Sequence, residues 1–185
     1  MTTTETLIPT LQTVDEFEQW ERFHHHEGSY EFVRGRIIEK QDMKQAEFFI
    51  LKFLTRLFAT TAAYAAGDEL TPEMDAYVDN VRKRRPDLGY FTLDQINQTR
   101  QGIRQKTRFA IEILSDSESY QDVIDKIQDY FDADAQLVWY VIPESQKIYV
   151  YTSPDESKAY KRADMISATP VLPDFSFVVD DLFAA

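Results

Sequence analysis

The sequence contains no cysteine, which removes disulfides, thiolate metal sites and cysteine nucleophiles together. Histidine is nearly absent too. The only three, His24, His25 and His26, stand side by side at the end of a predicted helix. Consecutive helical residues point in different directions and cannot all grip one ion. Polar or positive groups at a helix C-terminus are favoured by the macrodipole, so the triplet reads as structural. No H-E-x-x-H, no G-x-S-x-G elbow, no phosphate-binding G-x-x-x-x-G-K-[ST] loop and no G-x-G-x-x-G turn occurs. No apolar run approaches the roughly 20 residues that a membrane span needs. The opening "MTTTETLIPT" lacks the basic and apolar regions of a secretory signal. The expectation is a cytoplasmic protein with no membrane partner.

Positive charge is also scarce. Twenty Lys and Arg face 32 Asp and Glu, for a net charge of −12. Phosphate binding needs cations, so the whole chain argues against a nucleic-acid partner, but the distribution does not. Residues 82–108 hold eight Lys/Arg against two Asp, a local +6, while the remainder is −18. The island opens with Arg82, Lys83, Arg84 and Arg85. It reads either as a solvated strand end and loop or as a phosphate-facing surface.

With 185 residues, 43% hydrophobic and 14% aromatic, the chain has enough apolar material for one globular domain. The expectation is a flexible leader over 1–12 and a single domain over 13–185. Thr13 with Glu16 is a capping-box start for "VDEFEQWERF", and "YEFVRGRIIEK" is a hairpin turning at Arg34-Gly35. Residues 44–61 are apolar around most of a helical circumference, which predicts a central core helix. "MDAYVDNV" and "RRPDLGYF" read as strands and "TLDQINQTRQG" as a short capped helix. "RFAIEILS" is a strand buried on both faces, followed by a helix from about Ser119 to Asp132 that buries Tyr120, Val123, Ile124, Ile127, Tyr130 and Phe131. Two further strands flank a turn at 143–146, ahead of a strand-rich tail. The fold class is therefore α/β, a mixed α+β sheet with flanking helices and an N-terminal helix plus hairpin, in which 108–142 is a parallel strand–helix–strand unit.

Within that frame the carboxylates carry the chemistry. Alternation puts Arg108, Ala110, Glu112 and Leu114 on one face of their strand, leaving Glu112 flanked by apolar neighbours. Asp87 shares its face with Gly89, which leaves open space beside the carboxylate. If these strands pair, Asp87 and Glu112 converge. Two such acids repel unless something positive sits between them. Either a hard divalent cation does so, or each acid is paired with a nearby arginine.

The ordered set "YEFVRGRIIEK", "RRPDLGYF", "FAIEILSDSESYQDVIDKIQDYFDADAQLVWYVIP", "KIYVYTS" and "VLPDFSFVVDDLF" resembles the PD-(D/E)XK nuclease superfamily, and more closely the bacterial Uma-two family of restriction-endonuclease-like proteins, over roughly residues 14–183. The resemblance implies a restriction-endonuclease-like core and a metal-dependent endonuclease, with Mg²⁺ or Mn²⁺ as cofactor and DNA as partner. It implies Asp87 and Glu112 as metal-binding acids, and Glu31 as an acid reaching the metal edge. Leu114 stands where the superfamily's lysine is expected, and Lys126 of the following helix is the implied replacement. Gln45 stands near the place of a family histidine, and Asp116 replaces the usual proline. The Arg82–Arg85 strip would hold the nucleic-acid backbone, and a homodimer is the expected assembly because nucleases that cut duplexes often pair. The competing reading is a catalytically inactive module that kept the nuclease fold. A two-carboxylate glycosidase lacks support in any single motif.

Overall fold

A computed structural model describes residues 10–40, 44–115 and 118–184. Its elements in chain order begin with α1 (Val14–His24), β1 (Ser29–Val33), β2 (Arg36–Lys40), α2 (Gln45–Phe58), α3 (Ala62–Ala65), β3 (Glu69–Thr71), β4 (Ala76–Tyr77), β5 (Arg82–Arg84) and β6 (Leu88–Phe91). They continue with α4 (Leu93–Thr99), β7 (Phe109–Ile113), α5 (Tyr120–Asp132), β8 (Leu137–Ile142), β9 (Lys147–Ser153), β10 (Glu156–Lys161), β11 (Met165–Ala168), β12 (Leu172–Val178) and α6 (Val179–Ala184). No helix among the described residues is long and apolar enough to cross a membrane.

A six-stranded sheet, ordered β10-β9-β8-β7-β6-β3, forms the centre. β7 and β8 run parallel across the α5 crossover and the other neighbours are antiparallel. A four-stranded sheet, β2-β1-β5-β4, lies beside it, and β11-β12 form a separate ribbon. Local chemistry explains the boundaries. Thr13 and Glu16 form the capping box that starts α1, and Ser119 caps α5 through the Asp122 amide. Arg34 and Gly35 both take positive φ, the turn that lets β1 fold back on β2 with matched twist.

Four departures from the sequence reading follow, the first two of them at the site. "RRPDLGYF" is not one strand. The ladder stops at Pro86, which has no amide hydrogen, so β5 belongs to the smaller sheet and β6 to the larger, with Asp87 at the junction. The space beside Gly89 is filled, since a Cβ there would lie 2.8 Å from the Phe91 ring. α2 is not wrapped on all sides. It buries Ile50, Leu51, Leu54 and Phe58 but leaves Phe48 and Phe49 exposed. Tyr120, expected inside, is also exposed.

The leader expected over 1–12 falls largely outside the described residues, as do residues 41–43, Asp116 and Ser117. Leu11 does not hang free: it packs against the cluster of Val14, Phe17, Tyr30 and Phe32.

The two faces of the six-stranded sheet have different covers. One meets α2, β12 and α6 in an aliphatic and aromatic core around Phe109, Trp139 and Phe175. The other meets α5 through Ala110, Ile127, Tyr130, Val138 and Tyr140.

Candidate active site

The site begins with register. Leu88 pairs with Ile111 and Gly89 with Ala110. One residue further along this antiparallel ladder, Asp87 comes opposite Glu112, on the face that α5 covers. Asp87 is fixed at both oxygens. Oδ2 accepts the Ile113 amide hydrogen at 2.7 Å, and Oδ1 accepts from Lys40 Nζ at 2.9 Å. Glu112 is 1% exposed. Its Oε1 accepts a short hydrogen bond from the Tyr130 hydroxyl, and Lys126 Nζ stands 3.4 Å from its Oε2. Lys126 and Tyr130 are one helical turn apart on α5, so a single helix face meets the carboxylate with an ammonium and a phenol. A second acid, Glu118, holds Lys126 Nζ at 2.9 Å.

Glu31, on β1, is equally buried. Its Oε2 accepts from Arg84 Nη1 and its Oε1 from the Arg85 amide, each at 2.9 Å. Arg84 also donates from Nε and Nη2 to Asp129 Oδ2, at 2.9 and 2.6 Å. It therefore bridges the small sheet to α5 beneath the site.

Glu31, Asp87, Glu112 and Lys126 all line one cavity of about 460 Å³. Among the described residues its wall carries eight carboxylates against four cations, Arg36, Lys40, Arg84 and Lys126. The fields in it are strong. At Glu112, burial dominates and is opposed by Lys126; with repulsion from Asp87 it pushes the carboxyl up to about 7. At Glu31, burial also favours the neutral acid, but Lys126, Arg84, Lys40 and the Arg85 amide together reverse that and hold it at about 2. Burial would neutralise Lys126, yet Glu112 and Glu31 outweigh it and keep the ammonium charged.

The four residues implied as catalytic are thus brought to one place. The two acids are not paired with arginines: Asp87 meets Lys40, and Glu112 meets Lys126 and Tyr130. The basic strip is where the structure corrects the expectation. Lys83 is fully buried between Glu21 and Asp75. Arg82 is held by Asp79, Asp129 and Asp132, and Arg85 by Asp75 and Glu21. These cations neutralise the protein's own acids, so the strip is not a phosphate-facing surface. Two of the histidines are tied into the helix end. His24 stacks on Trp20, and His24 and His25 bond carbonyls of the preceding helical turn.

Sequence reasoning missed Lys40, Tyr130 as a hydroxyl donor, and the Arg84–Asp129 pair. Alternation along β2 contained one signal, since Arg36, Ile38 and Lys40 share a face and all line the cavity. Tyr130 was assigned to the apolar stripe of α5, where its ring does pack, and only the tertiary fold directs its hydroxyl to Glu112.

No group of three or more His, Asp or Glu side chains is arranged for a metal ion among the described residues. That leaves the two-carboxylate kind of site open. Mg²⁺ keeps several waters and commonly takes only one or two carboxylates. Asp87 and Glu112 offer hard oxygen donors opposite one another on a single wall, a donor set that fits such an ion.

Comparison with known proteins agrees with the fold. The model of the Uma2 family, described as "Putative restriction endonuclease", matches residues 14–180. The chain belongs to this family. A solved structure of similar architecture is the crystal structure of a "putative nuclease belonging to DUF820 from Anabaena variabilis ATCC 29413". It is 19% identical, with a TM-score of 0.73 over 85% of this chain and 91% of its own. At that identity the likeness establishes the restriction-endonuclease-like fold and nothing finer. The cryo-EM structure of a DrdV–DNA complex aligns with 61% of this chain and 12% of its own, at 16% identity and a TM-score of 0.32, too weak to support an inference. No curated protein sequence matches the chain.

Proposed function

We propose that the protein is a divalent-cation-dependent endonuclease of the PD-(D/E)XK type, hydrolysing phosphodiester bonds of DNA. One observation carries the reading: an acid at the β5–β6 junction and an acid on β7, opposite in register, share a cavity with a lysine that the next helix returns to the second acid. Asp87 and Glu112 would hold Mg²⁺ or Mn²⁺, which supplies Lewis-acid polarisation of the phosphate and a lowered pKa for bound water.

The protein's own groups do the rest. Tyr130 pins Glu112 through Oε1, so the carboxylate does not have to reorganise on binding. Lys126, anchored by Glu118, presents a fixed ammonium that orients the attacking water and stabilises negative charge developing on the phosphoryl oxygens. Glu31 has both oxygens occupied by Arg84 and the Arg85 amide, so its part is to hold the β5–β6 junction that presents Asp87. In-line attack of water on phosphorus breaks the bond to the leaving ester oxygen, which departs as an alcohol once protonated by water.

A second reading, a nuclease-fold binding module without cleavage, draws on the acidic cavity wall and on the Arg82–Arg85 strip, whose cations are taken up by the protein's own acids. Supercoiled plasmid incubated with Mg²⁺ or Mn²⁺ separates the two. The enzyme reading expects nicking or linearisation that EDTA stops and that Asp87→Ala and Glu112→Ala abolish while circular dichroism stays native. Normal cutting by Glu112→Ala, or no cutting by wild type with either ion, would sink it.

A further inference from the structure

Lys40 has no place in the reading above, yet it touches the site more directly than most residues that do. It ends β2, and its side chain is only 11% exposed. Its ammonium donates to Asp87 Oδ1 at 2.9 Å and to the Arg85 carbonyl at 2.7 Å. Glu112 and Glu31 lie close enough to strengthen its charge. A cation thus already sits on one of the two acids that would bind a metal.

We propose that Lys40 is a resident counter-ion: it holds Asp87 in the metal-free protein, and a divalent cation binding Asp87 and Glu112 displaces it from Oδ1. The inference rests on the metal-dependent reading and adds a competition to it.

The two lysines of the cavity differ in what such a cation would take from them. Lys126 keeps its 2.9 Å contact with Glu118, which lies outside the acid pair. Lys40 loses Asp87, the one carboxylate it bonds among the described residues, and retains the neutral Arg85 carbonyl. Ion exchange at Asp87 therefore falls on Lys40. Asp87 itself need not move, because its other oxygen stays on the Ile113 amide. Lys40, with Lys126, also offsets the repulsion between Asp87 and Glu112 in the metal-free state.

Two measurements test this. Isothermal titration with Mn²⁺ at low ionic strength compares wild type with Lys40→Met and Lys40→Arg. Removing a competing charged hydrogen bond should tighten Mn²⁺ binding about tenfold or more in Lys40→Met, with Lys40→Arg near wild type. The second needs no mutation, which guards against a Lys40→Met protein that fails to fold. Amine acetylation of wild type, read by peptide mass spectrometry, should modify Lys40 slowly without metal and several-fold faster in saturating Mg²⁺, with Lys126 changing less. Equal Mn²⁺ affinity in wild type and a folded Lys40→Met, or Lys40 labelling unchanged by bound Mg²⁺, overturns the displacement while leaving the metal site standing. No Mn²⁺ binding by wild type overturns both.

Discussion

Phe109, Ile111 and Ile113 of β7 face the aromatic core under α2, while Ala110 and Glu112, alternating with them, face α5. The two sides of one five-residue strand follow different rules. The apolar side is held by area and shape. Trp139 packs edge-on against Phe109 at 4.9 Å and stacks near Phe175 at 5.8 Å. Its Nε1 is buried there with no hydrogen-bond partner among the described residues, a penalty of about 1–3 kcal/mol that the surrounding apolar contact outweighs. The α5 side adds buried pairing to its smaller apolar cluster. Glu112, Glu31, Asp129 and Arg84 are all buried, and each has a partner of opposite charge or a hydrogen-bond donor. A buried ion pair adds little net stability against an apolar substitute, but breaking one is costly. Charge was therefore not placed on that side for stability, and that is where a chemical function belongs.

Mutation should break this contrast most sharply on the apolar side. Trp139→Ala is expected to cost about 3–5 kcal/mol, read as a lowered urea midpoint, because no neighbour can fill the cavity. A loss under about 1 kcal/mol would mean that the aromatic cluster is not the main support of the sheet.

The α5 side should respond to pH instead. Glu112 has a folded pKa raised from 4.5 to about 7, so its contribution to stability is full below about 4.5 and is lost as pH rises through about 7. Glu31 is lowered from 4.5 to about 2, so its contribution is full above about 4.5 and is lost as pH falls towards about 2. In EDTA the melting temperature should therefore peak near pH 4.5–5 and fall on both sides. Glu112→Gln should flatten the high-pH limb alone, while reducing cleavage by about a hundredfold or more. An unchanged high-pH limb would show that Glu112 is not the group responsible.

The smallest effect is expected outside both regions. Tyr120 is 80% exposed at the start of α5, and Tyr120→Ser should shift stability by less than about 0.5 kcal/mol. A larger loss would place that ring in a contact absent from the isolated chain.

Much of this was legible in the linear sequence. The period-two pattern of "FAIEI" put Glu112 on the face opposite Phe109, Ile111 and Ile113. The helix caps and the Arg34-Gly35 turn were readable because each is settled by residues within four positions. The family resemblance implied Lys126 as the lysine returned by the next helix, and its Nζ stands 3.4 Å from Glu112 Oε2. The reading failed where pairing was remote. Lys40 bonds Asp87 across 47 positions, and Arg84 meets Asp129 across 45. Four consecutive cations could be read as a surface because most of their carboxylate partners, on α1, β1 and α5 and at Asp75, lie far along the chain, and only Asp79 is near Arg82 in sequence. α2 looked central because its composition is apolar, whereas its burial depends on where the sheet lies.

The sequence by itself determined where the main helices start, where the β1–β2 turn falls and which face of β7 carries the acid. Those follow from backbone periodicity and short-range hydrogen bonds, and the ordered set of motifs carried the family. Only the tertiary structure decided which charge meets which. It buried the Arg82–Arg84 strand against acids and brought two lysines to the two acids of the cavity. Electrostatic partnership depends on distance in space, and chain separation does not encode it.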